Sequence, residues 1–330
     1  MIRRLAALIG VLALAACIPD APLPRAPVPY GPAIIVDAAP VPLNPRDSRQ
    51  DRIGDFVYAG GVDLTSNQTS RLHGLSDIKV WPDGRVLAIG DESDLLEAHL
   101  VLDPAGRLAG LSHARLSAVK DADGVDLHAK GDREADSEGI AELADGDRLV
   151  SYEQDDRILL FPKGGGPPRP APFPQIKYVF NKGMEALAAD PSVAPDAYRV
   201  GIEASGATFL CRLSAGCAST GAEDLEGLAL SGMDVLPGGR IAYLLRDYSS
   251  LRGNVVRLKI VDAAGRKVDE MEIARPLTVD NFEGVAAVPG PAGRIRFYLI
   301  SDDNFGTYNG LPTHQRTLLL AFDWMPPALR

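Results

Sequence analysis

The sequence predicts an all-β protein, a six-bladed β-propeller in a single domain. From about residue 50 to the end, short β-like runs alternate with Asp-Gly, Gly-Gly and Pro-Gly turns, and helical periodicity is almost absent. A unit of short apolar run, turn and second run ending in acidic residues recurs every 41 to 65 residues. Such periods are typical of propeller blades. At about 45 residues a blade, the roughly 280 residues of this region predict six blades.

The two ends of this region contain candidate strands for closing the propeller. Residues 55–59 form a β-like run near its start, and residues 317–322 form another near its end. If both join one blade, the ring of blades has no exposed sheet edge. We therefore expect one blade to be shared between the two ends of the region.

The N-terminus predicts an exported lipoprotein. Arg3 and Arg4 precede an apolar run at residues 5–13, and small residues precede Cys17. The run is too short to span a bilayer as a permanent helix. We expect cleavage before Cys17, acylation of its thiol, and a location in the cell envelope facing the periplasm. An ordinary secretory signal with a chance cysteine is the alternative.

The expected organisation is a signal peptide at residues 1–16, a lipidated linker at 17–49 and the propeller at 50–330. Nine prolines between Pro19 and Pro45 predict an extended tether. The formal net charge is -10, and removal of Arg3 and Arg4 with the signal peptide lowers it to -12. This charge argues against nucleic acid as a partner. We expect a monomer that contacts the membrane only through its lipid.

Two cysteines remain after Cys17 is set aside. Cys211 and Cys217 are separated by five residues that include a Ser-Ala-Gly turn. An oxidising periplasm favours a disulfide between them, and the spacing fits a hairpin. A redox motif would usually have two residues between its cysteines. We expect a structural disulfide.

One position in each repeat is expected to face the propeller axis. Carboxylates converging on an axis repel one another, and Ca²⁺ bound through oxygen ligands would offset that repulsion. The carboxylates expected to hold this metal are Glu138, Glu185, Glu226 and Glu283. Acids at the ends of the second strands offer further ligands or a general base, namely Asp91, Glu92, Glu203, Asp302 and Asp303. The alternative is architectural, with each glutamate accepting backbone hydrogen bonds from the next blade.

Departures from the repeat point to substrate contacts. His73 stands where the alignment of repeats expects glutamate, Lys182 precedes Glu185, and Arg246 lies beside an acidic residue. With Arg316, these side chains are suited to clamp an anion, although each is also suited to an ordinary ion pair. The sequence contains no G-x-S-x-G nucleophile elbow, no H-E-x-x-H zinc motif and no phosphate-binding glycine loop.

Several of these segments together resemble a known bacterial family. The matching motifs lie at residues 74–76, 136–140, 181–185, 281–284, 301–305 and 315–319. They resemble the family called esterase-like activity of phytase, over about residues 50–325. The resemblance implies a propeller and the hydrolysis of phosphoesters or carboxylesters. Met184-Glu185-Ala186 departs from the Glu-Gly form of the motif.

The leading hypothesis is a tethered hydrolase that acts on a small anionic or ester substrate, with Ca²⁺ in the channel. Its catalytic residues are expected to be Glu138, Glu283 and His73. Its substrate-binding residues are expected to be Lys182, Arg246, Asp302, Asp303 and Asn304. The rival hypothesis is a non-catalytic propeller that binds a ligand or protein partner in the envelope, since fold does not determine function.

Overall fold

The computed structural model describes residues 33–308 and 311–327. The predicted signal peptide and Cys17 lie outside the described residues. The described part begins with three strands that belong to the last blade, β1 (Asp37–Pro40), β2 (Arg52–Ile53) and β3 (Phe56–Thr65). Within the described residues, no helix is long and apolar enough to cross a membrane.

Four blades of four antiparallel strands follow in chain order. Blade 1 contains β4 (Leu75–Val80), β5 (Arg85–Gly90), β6 (Asp94–Leu102) and β7 (Leu108–Ala118). Blade 2 contains β8 (Ser137–Glu142), β9 (Arg148–Tyr152), β10 (Arg157–Phe161) and β11 (Arg169–Ala171). Blade 3 contains β12 (Ala186–Ala189), β13 (Ala197–Gly201), β14 (Ala207–Arg212) and β15 (Gly216–Ala222). Blade 4 contains β16 (Ala229–Leu236), β17 (Arg240–Ser249), β18 (Gly253–Val261) and β19 (Lys267–Ala274).

Blade 5 closes the ring with strands from both ends of the chain. It contains β20 (Asn281–Pro289), β21 (Ile295–Asp302) and β24 (Leu318–Trp324), followed outward by β3 and β1. The pairing of Phe322 with Tyr58 joins the two ends of the chain and confirms the predicted closure. A small pair, β22 (Thr307–Tyr308) and β23 (Leu311–Pro312), lies between β21 and β24.

The described part of the chain has five blades, so the prediction of six is wrong. Division of the chain by a standard blade length failed for two reasons. Blade 5 takes additional strands from the N-terminal segment. Blades 1 and 2 are joined by a long connection that contains a 3-10 helix (Leu127–Lys130) and the short helix α1 (Asp132–Ala135).

The proline-rich segment also differs from the prediction in its described part. Residues 37–40 form β1 on the edge of β3, and Leu43 is buried with its carbonyl oxygen bonded to the Thr278 N-H. Apolar residues among the prolines supply this packing. The folded part of the chain therefore begins before residue 50, and the predicted linker at 17–49 is too long at its C-terminal end.

The core consists of apolar layers between the blades. The described residues form five clusters of buried side chains, and each cluster joins two neighbouring blades. Leu87 of blade 1 and Val150 of blade 2 share one cluster, for example, and Ala188 of blade 3 and Tyr243 of blade 4 share another. This stacking fixes the first strand of each blade around a common axis.

Cys211 and Cys217 lie opposite each other on β14 and β15 and are joined by a disulfide. Cys211 is buried at the interface of blades 2 and 3. The bond therefore fastens the outer hairpin of blade 3, far along the blade from its inner strand.

Candidate active site

The candidate site lies at one end of the axis, where the first strand of each blade begins and the second ends. We call this end the upper face. In blades 2 and 5 the pairing register shifts at Glu138 and at Glu283, so each is the extra residue of a β-bulge. The same bulge position is occupied by Ser76 in blade 1 and Ser231 in blade 4. In blade 3, Glu185 directly precedes β12.

Close contact between inner strands explains the glycine that follows several of these positions. A Cβ atom on Gly284 would lie 2.6 Å from the Asp77 Cα, and one on Gly232 would lie 2.5 Å from the Glu283 carbonyl oxygen. Both distances are too short for any side chain. These glycines therefore allow neighbouring inner strands to approach the axis, and the bulges direct the preceding side chains upward.

The second strands add another set of side chains at the upper face. In each blade the residue after the bulge position, or after Glu185 in blade 3, pairs with a residue of the second strand. The equivalent point lies two residues beyond that partner. The residues at this equivalent point are Asp91, Glu153, Glu203, Arg246 and Asp302. Four carboxylates and one arginine thus stand above the bulge positions.

Together these strands form an acidic basin. We define it by its eight carboxyl groups, those of Asp91, Asp136, Glu138, Glu153, Glu185, Glu203, Glu283 and Asp302. Carboxylate oxygens lie within 4.8 Å of one another in three groups of three residues. The groups are Asp91, Glu138 and Glu283; Asp136, Glu138 and Glu153; and Glu153, Glu185 and Glu203. Because Glu138 and Glu153 each belong to two groups, the three groups form one continuous chain.

Burial and mutual repulsion raise the pKa values of the basin. Burial is the main cause for Glu138, and the neighbouring Glu185 and Asp91 raise its pKa further. Burial likewise raises the pKa of Glu153 to about 7. Asp91 and Glu138 keep some contact with solvent, but they lie deep among protein atoms at the axis. The basin therefore favours protons or cations.

Arg246 is the cation at the wall of the basin. Its Nη2 atom lies 3.1 Å from Glu283 Oε1, 3.5 Å from Glu185 Oε1 and 3.9 Å from Glu203 Oε1. Its Nη1 atom donates to the Asn281 side chain at 3.4 Å. Its guanidinium group thus already forms ion pairs with three carboxylates.

Lys182 and Asn281 complete the polar contacts of the basin. Lys182 Nζ lies 3.3 Å from Glu203, and its side chain is half exposed at the rim. The Asn281 amide donates to Glu283 Oε1 at 2.8 Å and to Asp302 Oδ2 at 3.1 Å. These contacts hold carboxylates from blades 3 and 5 in place.

His73 lies at the edge of the basin and is held by Asp303. The His73 Nδ1 and Asp303 Oδ2 atoms are 2.5 Å apart. Asp303 also accepts hydrogen bonds from the Gly74 N-H at 3.0 Å and the Thr317 hydroxyl at 3.0 Å. Burial opposes ionisation of Asp303, but the His73 contact and these donors lower its pKa. Asp303 therefore orients His73 as a carboxylate.

The turn after Asp303 packs against the same histidine. Asn304 and Phe305 both have positive φ angles, 49° and 51°, which are costly for residues other than glycine. The Phe305 ring lies 6.2 Å from the His73 ring, between centroids, and fills the space above Gly74. The Asn304 N-H donates to Asp302 Oδ1 at 2.7 Å. Asn304 thus borders the basin at Asp302.

The axis is bridged below the basin by Lys79. Its Nζ atom lies 3.1 Å from Asp77 Oδ2 in blade 1 and 3.3 Å from the Met233 carbonyl oxygen in blade 4. The equivalent positions are small and buried in three other blades, as Ala141, Ala188 and Ala286. This lysine closes the floor of the site.

The structure brings together most of the predicted site residues but moves one of them away. Glu138, Glu185 and Glu283 meet at the basin, whereas Glu226 is exposed and pairs with Arg257 at 2.5 Å and Lys259 at 3.4 Å on β18. Glu226 is therefore not a ligand shared with the other three. His73 and Glu226 were aligned by the glycine that follows each, but Gly74 and Gly227 are turn glycines with φ angles of 58° and 84°.

Sequence reasoning missed some members of the site and misjudged others. Asp136, Glu153 and Asn281 were not proposed. Glu153 alone had an available signal, because it is an acid at the end of a second strand. Glu92 pairs with His128 at 3.0 Å, and Arg316 pairs with Asp280 at 3.5 Å. Both contacts are ordinary ion pairs outside the basin.

A family model described as Phytase-like, esterase-like activity of phytase, matches residues 70–305. The chain belongs to this family. The match includes all the residues of the acidic basin and excludes the N-terminal strands of blade 5. A search of curated proteins finds no match.

Solved structures of other propellers are similar at low identity. A putative gluconolactonase has 15% identity over 90% of this chain and 93% of its own, with a TM-score of 0.44. The calcium-binding protein regucalcin from Agrobacterium tumefaciens has 13% identity over 93% and 97%, with a TM-score of 0.43. A gluconolactonase from Xanthomonas campestris has 13% identity over 90% and 99%, with a TM-score of 0.41. Similarity at this level says nothing about the activity of this chain.

Proposed function

We propose that this protein is a Ca²⁺-dependent hydrolase of phosphoester or carboxylester substrates, tethered to the cell envelope. The observation that carries the proposal is the chain of three carboxylate groups through Glu138 and Glu153. The basin contains eight carboxyl groups. Among the described residues, the cations paired with them are Arg246 and Lys182. Membership of a family named for esterase-like activity supports the same conclusion.

The ligand set suits a hard divalent cation. All three groups offer carboxylate oxygens only, which Ca²⁺ prefers over nitrogen or sulfur ligands. Two oxygens on opposite sides of one Ca²⁺ ion would lie about 4.6–5.2 Å apart, given ligand distances of about 2.3–2.6 Å. The spacing within 4.8 Å is compatible with that geometry. Asp91, Glu138 and Glu283 would hold an ion beside His73 and Asp302.

The chain's own residues would perform the remaining steps. A divalent ion held by Asp91, Glu138 and Glu283 would act as a Lewis acid toward the carbonyl or phosphoryl oxygen of the substrate. Glu283 or His73 would accept a proton from the attacking water, and Asp303 would orient the His73 ring for that transfer. Water adds to the carbonyl carbon or phosphorus, the ester bond to oxygen breaks, and the proton passes to the departing alkoxide.

Ester hydrolysis by the purified chain tests this function. We expect p-nitrophenyl esters to be cleaved with added Ca²⁺, and cleavage to fall at least a hundredfold with EDTA or in Glu138→Gln. Glu226→Gln is the matched control, since Glu226 lies outside the basin, and it should keep full activity. A protein that binds a ligand without cleaving any phosphoester or carboxylester would support the non-catalytic alternative.

The envelope location is proposed from Cys17 and its preceding apolar run. We expect the native protein to sediment with membranes and to partition into detergent, because a lipid on Cys17 would anchor it. The Cys17→Ala variant should lose acylation and leave the membrane fraction. Equal membrane association of both proteins would contradict the anchor.

A further inference from the structure

Three large apolar side chains stand exposed in segments that adjoin basin residues along the chain, with Leu251 in the turn between β17 and β18. Leu251, Phe180 and Tyr248 are 91%, 77% and 61% exposed. Phe180 precedes Lys182 by two residues, and Tyr248 follows Arg246 by two residues on β17, so chain connectivity places both beside the basin. We call Phe180, Tyr248 and Leu251 the apolar rim.

The upper and lower faces of the propeller differ in how far their large apolar side chains are exposed. Among the described residues, the four most exposed large apolar side chains are the apolar rim and Leu311, and all four lie on the upper face. On the lower face, Val193 in the turn between β12 and β13 is only 47% exposed. Single exposed apolar side chains are normal on a protein surface, so the unequal distribution between the two faces is what favours a binding surface at the upper face.

The charge of the basin selects against highly charged ligands. A phosphate dianion is normally held by free arginine or lysine side chains that form paired hydrogen bonds. Here Arg246 is paired with Glu185, Glu203 and Glu283, and Lys182 is paired with Glu203. Even with one divalent ion bound, carboxylates outnumber cations, so a polyanion would be repelled.

We infer that the substrate is an ester of low charge with a sizeable apolar group, which packs on the rim while its ester group enters the basin. This inference rests on the proposed hydrolase function. The shared chemistry is an apolar ester with at most one negative charge, found in neutral carboxylesters and in phosphodiesters. Inositol hexakisphosphate and other polyanions lie outside this class.

A set of p-nitrophenyl substrates tests the charge and apolar requirements in one assay. The set contains the acetate, the octanoate, the bis(p-nitrophenyl) phosphate monoanion and the p-nitrophenyl phosphate dianion, all with Ca²⁺ and with Glu138→Gln as the background. We expect kcat/KM for the octanoate to exceed that for the acetate about tenfold, because apolar burial favours the longer chain. Faster cleavage of the dianion or of inositol hexakisphosphate would overturn the inference and leave the hydrolase function standing. The monoanion distinguishes a phosphodiesterase from a carboxylesterase.

Variants of the rim test where the apolar group binds. Phe180→Ser with Leu251→Ser should raise KM for the octanoate about fivefold to tenfold more than it raises KM for the acetate, because the longer chain loses more apolar contact. Val193→Ser removes an exposed apolar side chain from the lower face and is the matched control. An equal effect of both changes, or no effect of the rim variant, would overturn the inference.

Binding separates this inference from the hydrolase function. If no ester is cleaved, the proposed function fails, and calorimetry with uncharged N-octylacetamide then decides the inference alone. We expect the wild-type chain to bind this probe at least fivefold more tightly than the rim variant, and to give no heat with inositol hexakisphosphate. Absence of probe binding, or equal binding by the rim variant, would overturn the inference.

Discussion

Two Glu-Gly pairs look alike in sequence and occupy different environments. Glu138 occupies a bulge at the axis, and Gly139 lets the inner strand of blade 3 approach, since a Cβ there would lie 2.9 Å from the Glu185 carbonyl oxygen. Glu226 lies in an exposed turn, and Gly227 has a positive φ with open space around it. The glycine is required for packing in the first pair and for backbone conformation in the second. Only the first kind of glycine marks a residue at the axis.

The largest difference in stability between the basin and the turn of Glu226 should appear when an arginine that pairs with the glutamates of each is removed. Arg246→Gln leaves Glu185, Glu203 and Glu283 without their cation, and we expect the metal-free protein to lose roughly 3 kcal/mol of unfolding free energy. Arg257→Gln removes the partner of the exposed Glu226 and should cost less than about 1 kcal/mol. Urea unfolding of both variants without metal measures the contrast. Equal losses would mean that the basin gains no special stability from Arg246.

Glycine substitutions sharpen the same comparison. Gly284→Ala places a Cβ 2.6 Å from the Asp77 Cα, so blade 1 must shift, and we expect a loss of about 1–3 kcal/mol or more. Gly227→Ala meets no neighbouring atom and should cost about 1 kcal/mol through its positive φ alone. Thermal unfolding compares the two. A smaller loss for Gly284→Ala would contradict the close approach of the inner strands.

The pH dependence of stability is a further property of the basin, to which the buried Asp77 and Asp280 outside it also contribute. The pKa of Glu153 rises from 4.5 to about 7 on folding, mainly because of burial, so the folded state holds more protons than the unfolded state between these values. Stability without metal should therefore fall as pH rises from about 4.5 to 7. Ca²⁺ should oppose this fall, and its stabilising effect should grow with pH. Melting temperatures with EDTA and with Ca²⁺ measure it, and an unchanged difference between them across this range would contradict the proposed site.

The architecture was predicted from the sequence more accurately than the equivalence of residues between its repeats. Apolar runs and turn glycines identified the strands, and the closing pair was predicted because residues 55–59 and 317–322 are apolar at opposite ends of the domain. Bulges are not visible in such patterns. Ser76 and Ser231 occupy the bulge positions of blades 1 and 4, where the alignment of repeats had placed His73 and Glu226. Nothing in the local sequence shows that the serines are the equivalent residues.

Long-range contacts account for the remaining differences. Arg246 of blade 4 contacts side chains of blades 3 and 5, including Asn281, and these come together only when the ring closes. His73 depends in the same way on Asp303, 230 residues later in the chain. The N-terminal prolines suggested a tether because the partners of their interspersed apolar residues are distant in sequence. Leu43 packs in the core between blades 4 and 5, and Ile34 in the core between blades 5 and 1. Local propensity carries no information about such contacts.

Calorimetric titration of Ca²⁺ at pH 7.5 tests the central claim most directly, with the wild-type chain, Glu138→Gln and Glu226→Gln measured side by side. The two glutamates share a sequence motif, so they differ only in the environment that the fold gives them. We expect the wild-type chain and Glu226→Gln to bind Ca²⁺ with equal affinity, and Glu138→Gln to bind at least tenfold more weakly. Absence of Ca²⁺ binding by the wild-type chain, or equal affinities of the two variants, would contradict a metal site in the acidic basin.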